Sequence, residues 1–192
     1  MANGPTTFIE ELVSAGRGVI ALVMGDRKAA GYFDLSLRGL ASSLIVFLAV
    51  NALMAYAPAL LRAAPADGRG VGIGLLISLA LAAIPVALAA LVLRQFKRLD
   101  GFVPFLVADF WANSFLSVTM AVLLLFGLPF EITVIGLGIV VLIVEINIAR
   151  LIVTLPPLQV ATFVIAQFAG GLVGVMLLGM LIGAPTGVAV PG

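Results

Sequence analysis

The chain has 192 residues, of which 63% are hydrophobic and only 10% are charged. Soluble domains are about half apolar and about a quarter charged, so this composition excludes an ordinary soluble protein. The net charge is +1 and the chain contains no His and no Cys. A nucleic-acid-binding surface is therefore not expected, and the usual ligands of zinc, haem and copper and the base of a His-dependent triad are missing. We predict a protein that is not an enzyme and that uses no cofactor or metal.

Residues 1–33 are predicted to form a cytoplasmic segment containing one amphipathic helix, at about residues 7–24. Thr7 and Glu10 have the spacing of a capping box, which predicts the start of this helix. A helix with an apolar stripe and a thin polar face lies either in the membrane interface or against a bundle. The apolar residues recur at the three- and four-residue steps of a helix, and they are Phe8, Ile9, Leu12, Val13, Val19, Ile20 and Val23.

Residues 34–192 contain five apolar blocks of about twenty residues, the length that crosses about 30 Å of hydrocarbon. Short connections between the blocks require neighbouring spans to run antiparallel and to pack together. The fold class predicted is therefore all-α, an integral membrane bundle of five transmembrane helices preceded by an amphipathic interfacial helix. Spans one to five are placed at about Gly39–Leu61, Val71–Leu93, Phe102–Phe126, Ile132–Val153 and Pro157–Gly183.

The Lys and Arg residues lie mainly at one end of this predicted bundle. Eight of them fall on the side of the N-terminus, whereas only Arg62 and Arg69 fall on the opposite side. Because Lys and Arg are retained in the cytoplasm, this predicts a cytoplasmic N-terminus and a periplasmic C-terminus. A composition rich in Ala, Gly, Val and Leu but poor in Lys is typical of a GC-rich bacterium, so we expect a bacterial inner membrane. The eight residues are Arg17, Arg27, Lys28, Arg38, Arg94, Lys97, Arg98 and Arg150.

Several polar side chains fall inside the predicted spans, where an ionised carboxylate facing lipid costs about 2.5 kcal/mol or more. Helical rise places Asp109 roughly 10 Å from the cytoplasmic start of span three, and Glu145 roughly 12 Å from the cytoplasmic end of span four. Both should face protein or water. Asn113 shares a face of span three with Asp109. The candidate polar network consists of Asn51, Asp109, Asn113, Glu145, Asn147, Arg150 and Gln167.

Helical spacing also predicts how these side chains pair. Asn147 and Arg150 are three residues apart and share a face of span four, whereas Glu145 is about 140° away from Arg150 on the helical wheel. We therefore expect Arg150 to pair with Asp109 across the two helices. Glu145 would then be protonated, or would be held by an amide such as that of Gln167.

Two interpretations of the network remain open. It could line a proton-titrating or substrate-binding cavity that opens to the cytoplasm, as intramembrane carboxylates often do. It could instead hold the helices together through hydrogen bonds and one ion pair, each contributing about 1 kcal/mol or less. The nearby Arg150 and the off-centre position of the carboxylates favour the second interpretation.

Small residues predict close helix packing in two spans. Gly170 and Gly174 in span five are separated by three residues, and Gly179 and Gly183 repeat that spacing. Such pairs let two helix backbones touch, and five spans offer many partners within one chain. Span two carries a stripe of small residues that predicts the same kind of contact, at Ala80, Ala83, Ala87 and Ala90.

The stretch "YFDLSLRGLASSLIVF" at the entry to span one, together with a cytoplasmic segment, five closely spaced spans and almost no tail, resembles the Yip family. These are small five-span membrane proteins with bacterial relatives. The eukaryotic members carry Asp-Leu-x-Gly-Pro near the first span, whereas here Asp34-Leu35 is followed by Ser-Leu-Arg-Gly without the Pro. The resemblance implies a non-enzymatic role in membrane organisation or partner binding, and no functional residue is carried over.

Two functions from different classes follow. In the first, the bundle is an interaction or assembly protein that sits in the lipid bilayer and binds other membrane proteins or a second copy of itself. In the second, it is a small proton-coupled transporter or channel component that uses Asp109 and Glu145. Nucleic acid is not an expected partner in either case.

Overall fold

The computed structural model describes residues 7–60 and 71–182, apart from the side chains of residues 56–60, 71–75, 77–78, 178–179 and 181–182. This part of the chain is helical and contains no strand, so the prediction of an all-helical protein is confirmed for it. A π-helical segment, Ile148–Ile152, continues the fifth helix. The helices are α1 (Phe8–Met24), α2 (Leu37–Leu60), α3 (Val71–Gln95), α4 (Phe102–Leu125), α5 (Phe130–Asn147) and α6 (Pro157–Ile182).

Several of these helices are suited to a membrane. Within the described ranges, four helical segments have the length and apolar composition needed for a crossing. They are Leu37–Ala55, Leu99–Leu125, Phe130–Ile152 and Pro157–Leu177. Helix α3 has 25 residues, and its apolar segment Leu79–Gln95 is shorter than these four. The chain thus has the character of a helical membrane protein, and the crossing of α3 stays a prediction.

The outward surface of the helices is apolar. Ile135 and Ile139 on α5, for example, are exposed over 66% and 57% of their surface. A soluble protein rarely exposes so large a contiguous apolar surface, whereas the same side chains are well solvated by acyl chains. The exposed residues therefore fit a lipid-facing surface.

Helix α4 lies at the centre of the bundle. Its N-terminal half is buried almost continuously, and Trp111 and Val107 are fully enclosed. The most extensive helix pairs are α2 with α4 and α3 with α6. Stacking of the Phe47 and Phe110 rings, whose centroids are 5.0 Å apart, joins α2 to α4. Because α4 is central, its polar side chains lie against the surrounding helices.

The glycine pair of α6 lies against α3. A methyl group added at Gly170 would come within 2.6 Å of Leu88 Cδ1, and one at Gly174 within 3.3 Å of Leu81 Cδ2. These glycines thus permit a close helix contact inside one chain. Gly179 lies in the last part of α6, and Gly183 falls outside the described residues.

The predicted Ala stripe of α3 does not form the packing surface, so that expectation was wrong. Ala80, Ala83 and Ala87 are exposed, whereas Ala89 is buried. The side of α3 that meets α6 is marked by Leu81, Pro85 and Leu88, which border the α6 glycines. The small residues that permit close approach are thus supplied by α6, because a pair of helices needs them on one partner only.

Helix α1 is tied into the bundle. Its capping box is confirmed, because Glu10 N donates to Thr7 Oγ1 at 3.3 Å and Thr7 N donates to Glu10 Oε2 at 3.0 Å. The helix ends at Gly25, which has a left-handed backbone with φ of 69°. Its buried residues face α4 and α5 and the 3₁₀ turn at Ala29–Tyr32, and they include Ala15, Gly18, Val19, Ala21 and Leu22. Of the two placements open to this helix, contact with the bundle is observed.

Candidate functional site

A cavity of about 450 Å³ lies among the five long helices. Residues of α2, α3, α4, α5 and α6 all contribute to its wall. Most of this wall is apolar and aromatic, and we call the space the polar cavity because four polar side chains enter it. These are Asp109 and Asn113 of α4, Glu145 of α5 and Gln167 of α6.

The polar side chains lie at similar depths in the bundle. Asp109 is seven residues after the start of α4, and Glu145 is seven residues before Ile152, so each is about 10 Å from the same end. Gln167 is ten residues after the start of α6, or about 15 Å from that end. Antiparallel helices therefore bring Asp109 and Glu145 to one level and Gln167 to about 5 Å beyond it, inside the apolar part of the bundle.

The carboxyl groups of Asp109 and Glu145 lie within hydrogen-bonding range of each other. Asn113 Nδ2 already donates to Asp109 Oδ1 at 2.8 Å and to the Asp109 backbone oxygen at 3.0 Å. A hydrogen bond between two carboxyl groups needs one proton, because a carboxylate can only accept. Since Asn113 supplies an N–H to Asp109, the shared proton fits on Glu145, which then donates to Asp109.

Two polar atoms in the polar cavity have no protein partner. Glu145 Oε2 is buried with no protein donor beside it, and Gln167 Nε2 is buried with no acceptor. Gln167 as a whole is only 8% exposed. An unpaired buried polar group costs about 1–3 kcal/mol. The expected hydrogen bond that would hold Glu145 through the Gln167 amide N–H is therefore absent, because the two side chains stand on different walls of an open space.

The predicted ion pair between Arg150 and Asp109 is wrong. Among the described residues, the only salt bridge joins Arg98 Nε to Asp100 Oδ1 at 3.4 Å. Arg150 is exposed and lies in the π-helical segment at the end of the bundle, whereas Asp109 lies about 10 Å inside it. No Lys or Arg of the described ranges lines the polar cavity. In the part of the chain that the structure describes, no cation therefore balances the carboxyl pair.

Asn147 and Arg150 share a face as predicted, but that face turns toward α1. Asn147 Nδ2 donates to the Leu22 backbone oxygen at 2.8 Å in a buried position. A methyl group added at Gly25 would be 3.7 Å from both Arg150 Nη2 and Asn147 Nδ2. We call Leu22, Gly25, Asn147 and Arg150 the α1 joint. It places an amide donor and a cation at the C-terminal end of α1, where free carbonyls favour both.

Arg98 has a structural role that sequence reasoning missed. Its Nη2 donates to the Val153 oxygen at 2.7 Å and to Thr154 Oγ1 at 2.9 Å, and its Nη1 donates to the Thr154 oxygen at 3.2 Å. Arg98, in the connection between α3 and α4, is thus hydrogen-bonded to Val153 and Thr154, in the connection between α5 and α6. Nothing in the sequence relates residue 98 to residue 154, and Arg98 was used only to predict orientation.

The remaining polar residues are placed apart from both groups. Asn51 Nδ2 donates to the Phe47 oxygen of its own helix at 2.8 Å and does not line the polar cavity. Glu11 of α1, which was not a candidate, is 5% exposed and has a buried Oε1 without a partner. The seven predicted network residues therefore separate into four at the polar cavity, two at the α1 joint and Asn51.

No protein-family model, curated protein or solved structure matches this chain. The resemblance to the Yip family therefore stays a prediction.

Proposed function

We propose that the protein is a small proton-linked solute transporter of a bacterial inner membrane, and not an enzyme. The observation that carries this proposal is the contact between the carboxyl groups of Asp109 and Glu145 at the wall of a cavity bounded by five helices. A carboxyl pair in a low-dielectric space can hold one proton and release it when another cation arrives. Coupling of that kind is what a proton-linked carrier needs.

The proposed topology has five crossings, α2 to α6, with the C-terminal end of α1 at the cytoplasmic end of the bundle. The hydrogen bonds of Arg98 to Val153 and Thr154 support it, because they bring two connections to one end of the bundle. Arg150 and the end of α1 lie beside each other, as expected if α1 lies at that same end. The positive-inside rule then places this basic end in the cytoplasm.

The hydrogen bonds of the intramembrane residues argue against the interpretation that they only hold helices together. Asn51 and Asn113 donate to oxygens of their own helices, Phe47 and Asp109 respectively. Gln167 Nε2 bonds to nothing in the described part of the protein. An amide that fixes two helices should have its partner on the second helix, and among the four amide side chains of the predicted network that pattern is found for Asn147 only.

The test uses purified protein in vesicles that contain a pH-sensitive dye. Cationic, neutral and anionic solutes are added in turn, and the luminal pH is recorded. We expect at least one class to change the luminal pH in vesicles with the wild-type protein, and no change with Asp109→Asn or Glu145→Gln. The matched control is Glu131→Gln, the same substitution at an exposed position of α5. Full activity in the Asp109→Asn/Glu145→Gln double variant, or no response to any class in the wild type, would contradict the proposal.

A partner-binding role is the second candidate. It is favoured by an apolar groove of about 360 Å³ between α1 and α4, lined by Gly16, Ile20 and Val23 on one side and by Phe115 and Leu116 on the other. A helix of another membrane protein could fill such a groove. Purification from native membranes in mild detergent distinguishes the two functions. A stoichiometric companion that is lost in Gly16→Leu but retained in Glu145→Gln would favour partner binding over transport.

A further inference from the structure

The lining of the polar cavity is informative about the solute that it accepts. Its charged groups are Asp109 of α4 and Glu145 of α5, and the residues that face them from α2, α3 and α6 are uncharged in the described part of the chain. An anion would therefore meet two carboxyl groups and no compensating Lys or Arg. A cation would replace the proton and leave the charge of the cavity unchanged.

The rest of the wall is suited to an apolar body. Phe47, Phe110 and Phe168 line the polar cavity, and the faces of aromatic rings attract cations, most strongly where water is excluded. A strongly hydrated inorganic ion would need a shell of oxygen ligands. The described residues include no group of three or more acidic side chains that could hold a metal ion, whereas two carboxyl groups and two amides are sufficient for a single charged group on an organic molecule.

The polar cavity also reaches the outer surface of the bundle. Three α6 residues in its wall, Phe168, Leu172 and Val175, are exposed over 46%, 65% and 61% of their surface. In the proposed topology that surface faces acyl chains. An amphipathic solute that dissolves in the bilayer could therefore enter from the side.

We propose that the polar cavity binds an organic cation with an apolar body, in exchange for the proton held between Glu145 and Asp109. This inference rests on the proposed function, because it names the class of solute for the same site. One cation enters and one proton leaves, so the charge of the occupied cavity does not change. The amide of Gln167, whose Nε2 is buried and unpaired, stands in the same wall and offers a donor to any acceptor group on the solute.

The experiment is calorimetric titration of the full chain in detergent with benzyltrimethylammonium. Two buffers of different ionisation enthalpy are used, so that the protons released are counted. We expect saturable binding with release of about one proton, and an affinity lower by roughly tenfold or more in Asp109→Asn and in Glu145→Gln. Glu131→Gln, at an exposed position of α5, should bind as the wild type does. Neopentylbenzene, in which carbon replaces the charged nitrogen, and benzenesulfonate should not compete.

Each alternative result overturns the proposal in a recognisable way. If the Asp109→Asn/Glu145→Gln variant binds the cation as tightly as the wild type does, the cation binds only to apolar surface and not to the carboxyl pair. Saturable binding of the neutral or anionic compound that is lost in the Asp109→Asn/Glu145→Gln variant, with no binding of the cation, would show the wrong solute class while the proposed function survives. Binding of the cation without proton release, together with no luminal pH response in vesicles, would remove both the exchange and the proposed function.

Discussion

The α1 joint and the polar cavity are two buried polar regions of one bundle, and they differ in how completely their polar groups are paired. At the α1 joint, the buried amide of Asn147 donates to the Leu22 carbonyl, and the Arg150 guanidinium stands at the end of α1. In the polar cavity, Gln167 Nε2 has no acceptor and Glu145 Oε2 has no donor among the described residues. The two regions therefore differ in the state of their hydrogen bonds, which is complete for the Asn147 donor and incomplete for Gln167 and Glu145.

The two regions should therefore respond oppositely to removal of a polar group. Loss of a donor at the α1 joint leaves a buried carbonyl of α1 with less hydrogen bonding, which destabilises the fold. Replacement of an unpaired amide by an apolar side chain removes a desolvation cost, which stabilises the fold or leaves it unchanged. Substitutions at each region turn this difference into measurable free energies of unfolding.

The largest effect is expected for Gly25→Val at the α1 joint. The left-handed backbone of Gly25 strains a β-branched residue, and the added side chain approaches Arg150 and Asn147. We expect a loss of about 2–3 kcal/mol, measured as the free energy of unfolding in mixed micelles. The control is Gly31→Val, at a glycine whose Cβ position contacts nothing within 4 Å. Equal losses in the two variants would show that the α1 joint does not hold the helix.

Asn147→Leu should have the next largest effect. It keeps most of the side-chain volume but removes the donor to the Leu22 oxygen, which lies at 2.8 Å. The expected loss is about 1–2 kcal/mol, near the upper end of hydrogen bonds measured between membrane helices. The same substitution at Asn51, whose bond stays within α2, serves as the comparison and should cost less. A loss at Asn51 as large as that at Asn147 would contradict the account.

Gln167→Leu is expected to act in the opposite direction. The amide Nε2 is buried without a partner, so its replacement should leave stability unchanged or raise it by up to about 1 kcal/mol. The thermal unfolding midpoint of this variant, measured beside that of Asn147→Leu, gives the sign directly. A drop as large as that of Asn147→Leu would place Gln167 among the structural residues.

The smallest change in stability is expected for Glu145→Gln. The amide keeps the shape of the carboxyl group and can still donate to Asp109, as the protonated acid does. We expect a free energy of unfolding within about 0.5 kcal/mol of the wild type, with loss of solute-driven pH change in vesicles. If Glu145→Gln unfolds much more readily than the wild type while its folded fraction retains transport, Glu145 is a structural residue and is not needed for transport.

The sequence predicted those features that depend on local periodicity. The capping box at Thr7 and Glu10 follows from spacing alone, and it is present. The inward position of Asp109 and Glu145 follows from the cost of a carboxylate in lipid, and both line the polar cavity. Their mutual contact was not predicted, because Arg150 was the expected partner of Asp109.

The errors come from tertiary structure. Asn147 and Arg150 share a face, as the helical period predicts, but that face turns toward α1, and Arg150 lies at the end of the bundle whereas Asp109 lies about 10 Å inside it. Asn147 was assigned to the intramembrane network because the docking of α1 beside α5 cannot be derived from the sequence of either helix.

The most direct measurement of the central claim is an infrared spectrum of the protein at neutral pH. If Glu145 carries the proton that it shares with Asp109, the wild type and Glu131→Gln show the C=O stretching band of a protonated carboxyl group. The band should be missing in Glu145→Gln, should shift in Asp109→Asn, and should be lost from the wild type when benzyltrimethylammonium displaces the proton. A wild-type spectrum without that band, or a band that survives unchanged in Glu145→Gln, would contradict the account.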